Sequence, residues 1–207
     1  MIDMEKKFEL TDKFVFNTFG IKLFQIKCTK SFKYAKEGDL GGYVEKDENL
    51  DQESDAWVYG DAQVFGDAQV YGDAQVFGDA WVYGDAQVFG DARVYGDAQV
   101  YGDARVYGDA QVFGNARVYG DARVSGDADI ENDNNHCGFD CFGSCNRHTH
   151  AYLTKDNKVE ITCGCFRGSI EEFEKKVEGT HSGTIYEKQY KAIINVIKIK
   201  FGLTDLI

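Results

Sequence analysis

Residues 60–90 read GDAQVFGDAQVYGDAQVFGDAWVYGDAQVFG, one six-residue phrase repeated without a break. Framed as Asp-Ala-x-Val-aromatic-Gly, the phrase runs for twelve consecutive hexads from Asp55 to Gly126, and a degraded thirteenth covers Asp127 to Asn132. Within a hexad Ala and Val are two residues apart. On a strand they therefore point to one side, while x and the aromatic point to the other. The small and aliphatic pair reads as the core face. Gly accepts a left-handed backbone and Asp hydrogen-bonds the backbone just beyond it, so Gly-Asp reads as a corner between short strands. Strands of this length joined by tight corners predict a solenoid, here a left-handed parallel β-helix with three hexads per coil. Twelve hexads make about four coils, a prism about 19 Å long at the ordinary strand spacing. Its open ends need caps, because a terminal coil exposes unpaired backbone groups.

The rest of the chain divides around this prism. Residues 1–54 carry the alternating runs KFVFN and IKLFQIKC and then EGDLGGYVEKDENL, which predicts an N-terminal β-hairpin cap. Residues 55–132 are the hexapeptide β-helix. After about Glu131 the hexads dissolve into ENDNNHCGFDCFGSC, read as a polar, Cys-rich loop that opens a domain over residues 133–207. There HAYLT and KVEITC, separated by KDN, predict a hairpin. Ser169 followed by Glu172 is a capping box before the helix SIEEFEKKV, and YEKQYKAIINVIKIKF has apolar residues at helical spacing. The fold class is mainly β, with a small C-terminal α+β domain.

Composition sets limits on function. Of 207 residues 43% are hydrophobic, and 23 basic against 35 acidic side chains give a formal charge of −12, which disfavours direct binding to nucleic acid or an anionic membrane. The start, MIDMEKKFEL, has no apolar signal core, so a cytoplasmic location is expected, where six cysteines are thiols or metal ligands rather than disulfides. Proline is absent, as suits strands paired on both edges. Residues 55–132 contain no His, Cys or Lys, so the coils offer no evident base, nucleophile or zinc ligand and no enzyme is expected there. No Thr lies between Lys30 and His148, which excludes the threonine ladders of ice-binding solenoids.

What the coils do present is charge and rings. Asp55, Asp61, Asp67, Asp73, Asp79 and Asp85 stand at the corners of residues 55–90, a stretch with no Lys or Arg. Spread over two coils, they make one negative charge per roughly 1.6 Å of axis, close to the ~1.7 Å of duplex DNA. Arg93, Arg105, Arg117 and Arg123 dilute the later coils, so the prism is acidic at its N-terminal end. Outward Gln and aromatic ladders stabilise stacked strands, and outward rings also suit self-association or a partner face, to which Trp57 and Trp81 belong. In the C-terminal domain nine potential metal ligands fall between His136 and His181: His136, Cys137, Cys141, Cys145, His148, His150, Cys163, Cys165 and His181. Zinc is expected through Cys163 and Cys165 with His181 or a thiol from Cys141 or Cys145. Buried structural cysteines, or a reactive Cys paired with His181, account for the same residues.

The passage GDLGGYVEKDENL leading into AWV and the hexads, with CGCFRGSIEEFEKKV and a following TH, resembles hexapeptide-repeat proteins commonly encoded in bacteriophage and prophage genomes. The resemblance implies a β-helix and a phage origin, and brings no established activity with it. Cys137, Cys141 and Cys145 are additions to that pattern. The functional expectation is a non-enzymatic binding protein, cytoplasmic in a bacterial host, which inhibits a host protein whose basic surface grips nucleic acid. A structural or assembly protein, homo-oligomeric through its ladders, and a ligand-sequestering or enzymatic Cys/His domain are the alternatives.

Overall fold

The fold was obtained as a computed structural model in which residues 6–203 are described; the first five residues of the N-terminal cap and the last four of the C-terminal domain lie outside that range. Strands β1 (Phe8–Phe16), β2 (Lys22–Cys28) and β3 (Leu40–Val44) form an antiparallel meander. Thirteen two-residue strands follow, β4 (Trp57–Val58) to β16 (Asp129–Ile130), and build three parallel sheets around a common axis. Val58 pairs with Val76 and Val64 with Val82, so three hexads do make one coil. Every hexad Ala and Val from Ala56 to Val124 is buried, and the aromatic that follows Val in the first eleven hexads lies on the outer face of its coil, Phe65 there covered by the cap. Most rings one coil apart stack with centroids 4.7 to 5.0 Å apart, as in Phe77–Tyr95 and Tyr95–Phe113, while Tyr101–Tyr119 opens to 5.4 Å and Tyr59 meets Phe77 edge-on at 6.4 Å. The shorter spacing is the strand separation itself, so sheet pairing and ring stacking reinforce each other.

The corners depend on glycine. All hexad glycines have φ between +60° and +75°, and the turn can close with a backbone bond, as from Ala62 N–H to the Tyr59 carbonyl, 3.2 Å. Pairing continues round the corner, where Asp73 N–H donates to the Gly90 carbonyl at 2.8 Å. A β-carbon on Gly90 would stand 2.9 Å from the Gly108 nitrogen, so the coils approach too closely for any side chain there.

The solenoid runs to five turns, one more than hexads 55–126 supply. Tyr43 and Val44 of β3 pair in parallel with Gln63 and Val64, and Leu50 bridges to Val70. Both partners lie twenty residues on rather than eighteen, so the first coil carries a two-residue insertion before Trp57. Below this coil, the Lys7 ammonium donates to the carbonyls of Asp51, Ser54 and Ala56 at 2.5, 2.7 and 2.9 Å, groups that would otherwise face a missing coil. Desolvation by burial pushes the Lys7 pKa down to about 8.

At the other end sits a four-stranded antiparallel sheet, β17 (His136–Phe142), β18 (Arg147–Leu153), β19 (Val159–Cys163) and β20 (Phe166–Ser169), backed by α1 (Ile170–His181) and α2 (Ile185–Lys200). The stretch read as a polar loop thus contains β17, whose Cys137 and Phe139 pack on the helix side. Ser169 caps α1 reciprocally with Glu172. The opposite face of the sheet rests on the last coil. Ser125 stands where the repeat would place an aromatic, and the Tyr152 hydroxyl lies 3.4 Å from its side chain while donating to Glu160 at 2.6 Å. Arg167 holds that carboxylate through two bonds of 2.6 and 3.1 Å. Thr162 caps the Arg123 carbonyl at 2.9 Å and Lys155 the Asp109 carbonyl at 3.1 Å, so the domain closes the solenoid.

Candidate functional site

The corner carboxylates come first. Asp61, Asp67, Asp79 and Asp85 are exposed, and Asp55 and Asp73 are half-buried. Among the described residues no hexad Asp accepts a hydrogen bond from its own turn, so the corner rests on glycine and backbone pairing, and the carboxylate is left to point outward. The N-terminal cap answers two of the six. Lys46 binds Asp67 at 2.7 Å, holding that carboxyl below its usual range, and Lys33 reaches Asp73 at 3.3 Å. Asp61, Asp79 and Asp85 have no ion pair among the described residues.

The tryptophans are placed differently from expectation. Trp57 is 1% exposed, edge-on to Phe8 and Phe32 with centroids at 6.3 and 5.4 Å, and is therefore a core residue rather than a partner contact. Trp81 is half-buried between Phe19 and Phe65, at 6.0 and 6.2 Å. Both point outward from their coils, as the pattern requires, but the cap folds over that end and uses them as its seat. Beside it a groove of about 670 Å³ has Leu50, Val70 and Tyr71 as its apolar floor and Glu48 and Glu53 on its rim.

In the C-terminal domain the five residues expected to hold zinc are dispersed. Cys163 is buried on the helix side, accepting from Thr149 Oγ1 at 3.3 Å and lying 3.9 Å from the Tyr190 hydroxyl. His181 stacks on the Tyr190 ring, with centroids 5.5 Å apart. Cys165, Cys141 and Cys145 are exposed, Cys141 with φ +63° in the β17 bulge. Among the described residues no three His, Cys, Asp or Glu side chains are already gathered round one point as a metal requires.

The residues that do converge are His136, His148 and His150. Alternation along β18 sets His148, His150 and Tyr152 on the face toward the last coil, and His136 lies opposite Tyr152 on β17. His136 Nδ1 and His150 Nε2 are 2.9 Å apart. His148 Nδ1 meets Asp140 at 2.5 Å, and His136 Nε2 is 3.7 Å from Asp133. Burial holds His136 below its ordinary pKa, and burial with two neighbouring imidazoles holds His150 well below it. Burial likewise pushes the adjacent Cys137 thiol up to about 11. Gly138 makes room for the cluster, since a β-carbon there would lie 2.7 Å from the His148 ring. The rhythm of RHTHAY carries this signal in the sequence, and it becomes visible only once His136 is placed on a strand beside it.

A second concavity, about 530 Å³, opens where the last coils meet the C-terminal sheet. Arg105 and Arg123 pair in register one coil apart, and Arg147, Cys145 and Cys165 complete its wall opposite Asp103 and Asp121. Arg123 donates to the Gly164 carbonyl at 2.8 Å. No helix among the described residues is long and apolar enough to cross a membrane.

Residues 68–84, 86–100, 98–114, 110–126 and 116–129 match the family model described as the YdcK beta solenoid repeat. The matched stretches lie wholly within the solenoid, so this chain contains β-solenoid repeats similar to that family's. No curated protein matches the chain.

Proposed function

We propose that this chain is a non-enzymatic binding protein whose acidic solenoid end occupies the basic, nucleic-acid-binding surface of a partner protein, and so inhibits it. The observation that carries the reading is the state of the corner carboxylates: rigidly spaced, not spent on their own turns, and at Asp61, Asp79 and Asp85 exposed and, among the described residues, not paired. A rigid column of charges at strand spacing presents to a basic surface what a phosphate backbone presents, without the cost of ordering a flexible chain. The groove floored by Leu50, Val70 and Tyr71 lies at the same acidic end and gives a cationic side chain with an aliphatic stem somewhere to seat. In this reading the protein acts in the cytoplasm of a bacterial host and is phage-encoded, as the resemblance to phage repeat proteins implies.

The test uses the full chain with Asp55, Asp61, Asp67, Asp73, Asp79 and Asp85 changed to Asn, beside wild type, as bait in bacterial lysate at low and high salt. The expected outcome is a basic nucleic-acid-binding protein retained by wild type, released by salt and by duplex DNA, and lost from the folded variant. Equal retention by the variant overturns the charge mechanism. A stable oligomer in light scattering, with no partner retained, transfers the function to assembly through the ring ladders.

One observation favours a second reading. The 530 Å³ cleft carries Arg105, Arg123 and Arg147, which suits a small anionic ligand held by guanidinium groups. Calorimetry with a panel of nucleotides separates it from the first, since the Asp→Asn variant leaves Arg105, Arg123 and Arg147 in place.

A further inference from the structure

We infer that His136, His148 and His150 form a binding site for a divalent transition metal of the zinc class, open to solvent on one side. All three imidazoles project from β17 and β18 toward the last coil, and among the described residues Nε2 of His148 is buried with no hydrogen-bond partner. His150 is 1% exposed and His136 7% exposed, so this pair of donors is held out of bulk water. His136 Nδ1 and His150 Nε2 face each other at 2.9 Å. Two nitrogens bound tetrahedrally at zinc distances stand about 3.3 Å apart, so a small parting of this pair admits the ion between them.

The outer partners are those a metal site needs. Asp140 takes Nδ1 of His148, which leaves Nε2 as the free donor, and Asp133 stands beside Nε2 of His136, which leaves Nδ1. A carboxylate behind a ligating imidazole fixes its tautomer and its orientation. Nε2 of His148 and Cδ2 of His150 lie 3.0 and 3.7 Å from the point a β-carbon on Gly138 would occupy, so the third donor stands over the same spot as the His150 ring. Closing the set requires the rings to shift toward one another, since among the described residues no three ligands already surround one point. A cavity of about 280 Å³, walled by Tyr119, Ala122 and Cys137 as well as the imidazoles, leaves the fourth position open to water or a small anion. An all-imidazole set with one open position suits Zn²⁺, Co²⁺, Ni²⁺ or Cu²⁺ rather than Ca²⁺ or Mg²⁺.

The experiment uses the full chain, stripped with chelator and titrated with Co²⁺, reading visible d–d absorption, and then Zn²⁺ as competitor. The expected result is one equivalent of Co²⁺ per chain, displaced by Zn²⁺ and not by Mg²⁺. His148→Gln, at the most accessible of the three positions and the safest for folding, should weaken binding at least a hundredfold. Asp140→Asn should weaken it about tenfold by loosening His148, in a protein with unchanged circular dichroism. The triple variant Cys163→Ser, Cys165→Ser, His181→Ala should bind as wild type. Failure of wild type to take up Co²⁺ saturably, full affinity in His148→Gln, or loss of the metal with the cysteine variant would each overturn the assignment.

Discussion

Lys7 shows how much one side chain can decide at the end of a repeat. Three carbonyls of the first coil point to where a preceding coil would be, and one ammonium meets all three. Lys7→Met should destabilise the protein by about 3 kcal/mol, because each carbonyl left buried without a partner costs about 1–3 kcal/mol before water relieves part of it. The same residue gives a pH signature. Burial lowers its pKa to about 8 against an ordinary value of 10.5, so between those values the folded state releases its proton while the unfolded state keeps it. The unfolded state then binds more protons and stability rises with pH across that window. Urea midpoints of wild type relative to Lys7→Met should therefore increase from pH 8 to pH 10; a flat difference would mean that the ammonium is not buried in this way. Glycine makes the complementary case. Gly120 has φ +63° and open space around it, whereas Gly90 has φ +69° and the next coil's backbone 2.9 Å from any β-carbon. Gly120→Ala should cost about 1 kcal/mol, the left-handed penalty alone, and Gly90→Ala clearly more, measured in the same denaturant series.

The elements differ in how plainly the sequence announced them. Hexads 55–126 were legible because each coil repeats a small residue, a β-branched residue and a glycine corner in strict period, and local preference and global packing agree at every position. The first coil was not, because Gly42-Tyr43-Val44 and Leu50 lack the Asp-Ala signature and the insertion before Trp57 breaks the count. Strand β17 was hidden for a different reason. Its residues alternate between a face on the helices and a face on the solenoid, and neither side of that alternation is plainly apolar. A count of Cys and His carries no record of which face each takes, and pleating sends Cys163 to one side of the sheet and the imidazoles to the other. The seam between sheet and coil can be tested at Ser125. Restoring the repeat with Ser125→Phe would drive a ring into the space of Tyr152, which is fully buried. It should release the C-terminal domain to protease while the solenoid stays folded, and Ser125→Ala should cost only about 1 kcal/mol. Intact protease resistance in Ser125→Phe would show that Tyr152 is not what seats the domain.

At the scale of the whole molecule, the charge that suits the protein to a basic partner acts against its own fold. Asp61, Asp79 and Asp97 rise in one column at the stacking distance of the coils, and the column ends in Asn115, where the same corner forms without a charge. Like charges aligned across neighbouring strands destabilise by tenths of a kcal/mol each, and among the described residues no cation pairs with Asp61 or Asp79. Since the carboxylates hold no turn, replacing all three with Asn removes repulsion and nothing else. The triple variant should melt at or above the wild-type temperature at low salt, and added sodium chloride should raise the midpoint of wild type more than that of the variant. Binding to a basic partner should move the other way, weaker in the variant and weaker with salt. That opposition is what distinguishes a surface kept for its charge from one kept for its turns: if Asn at these corners lowered the melting temperature, the aspartates would be structural, and the acidic column would lose its claim to be the working face.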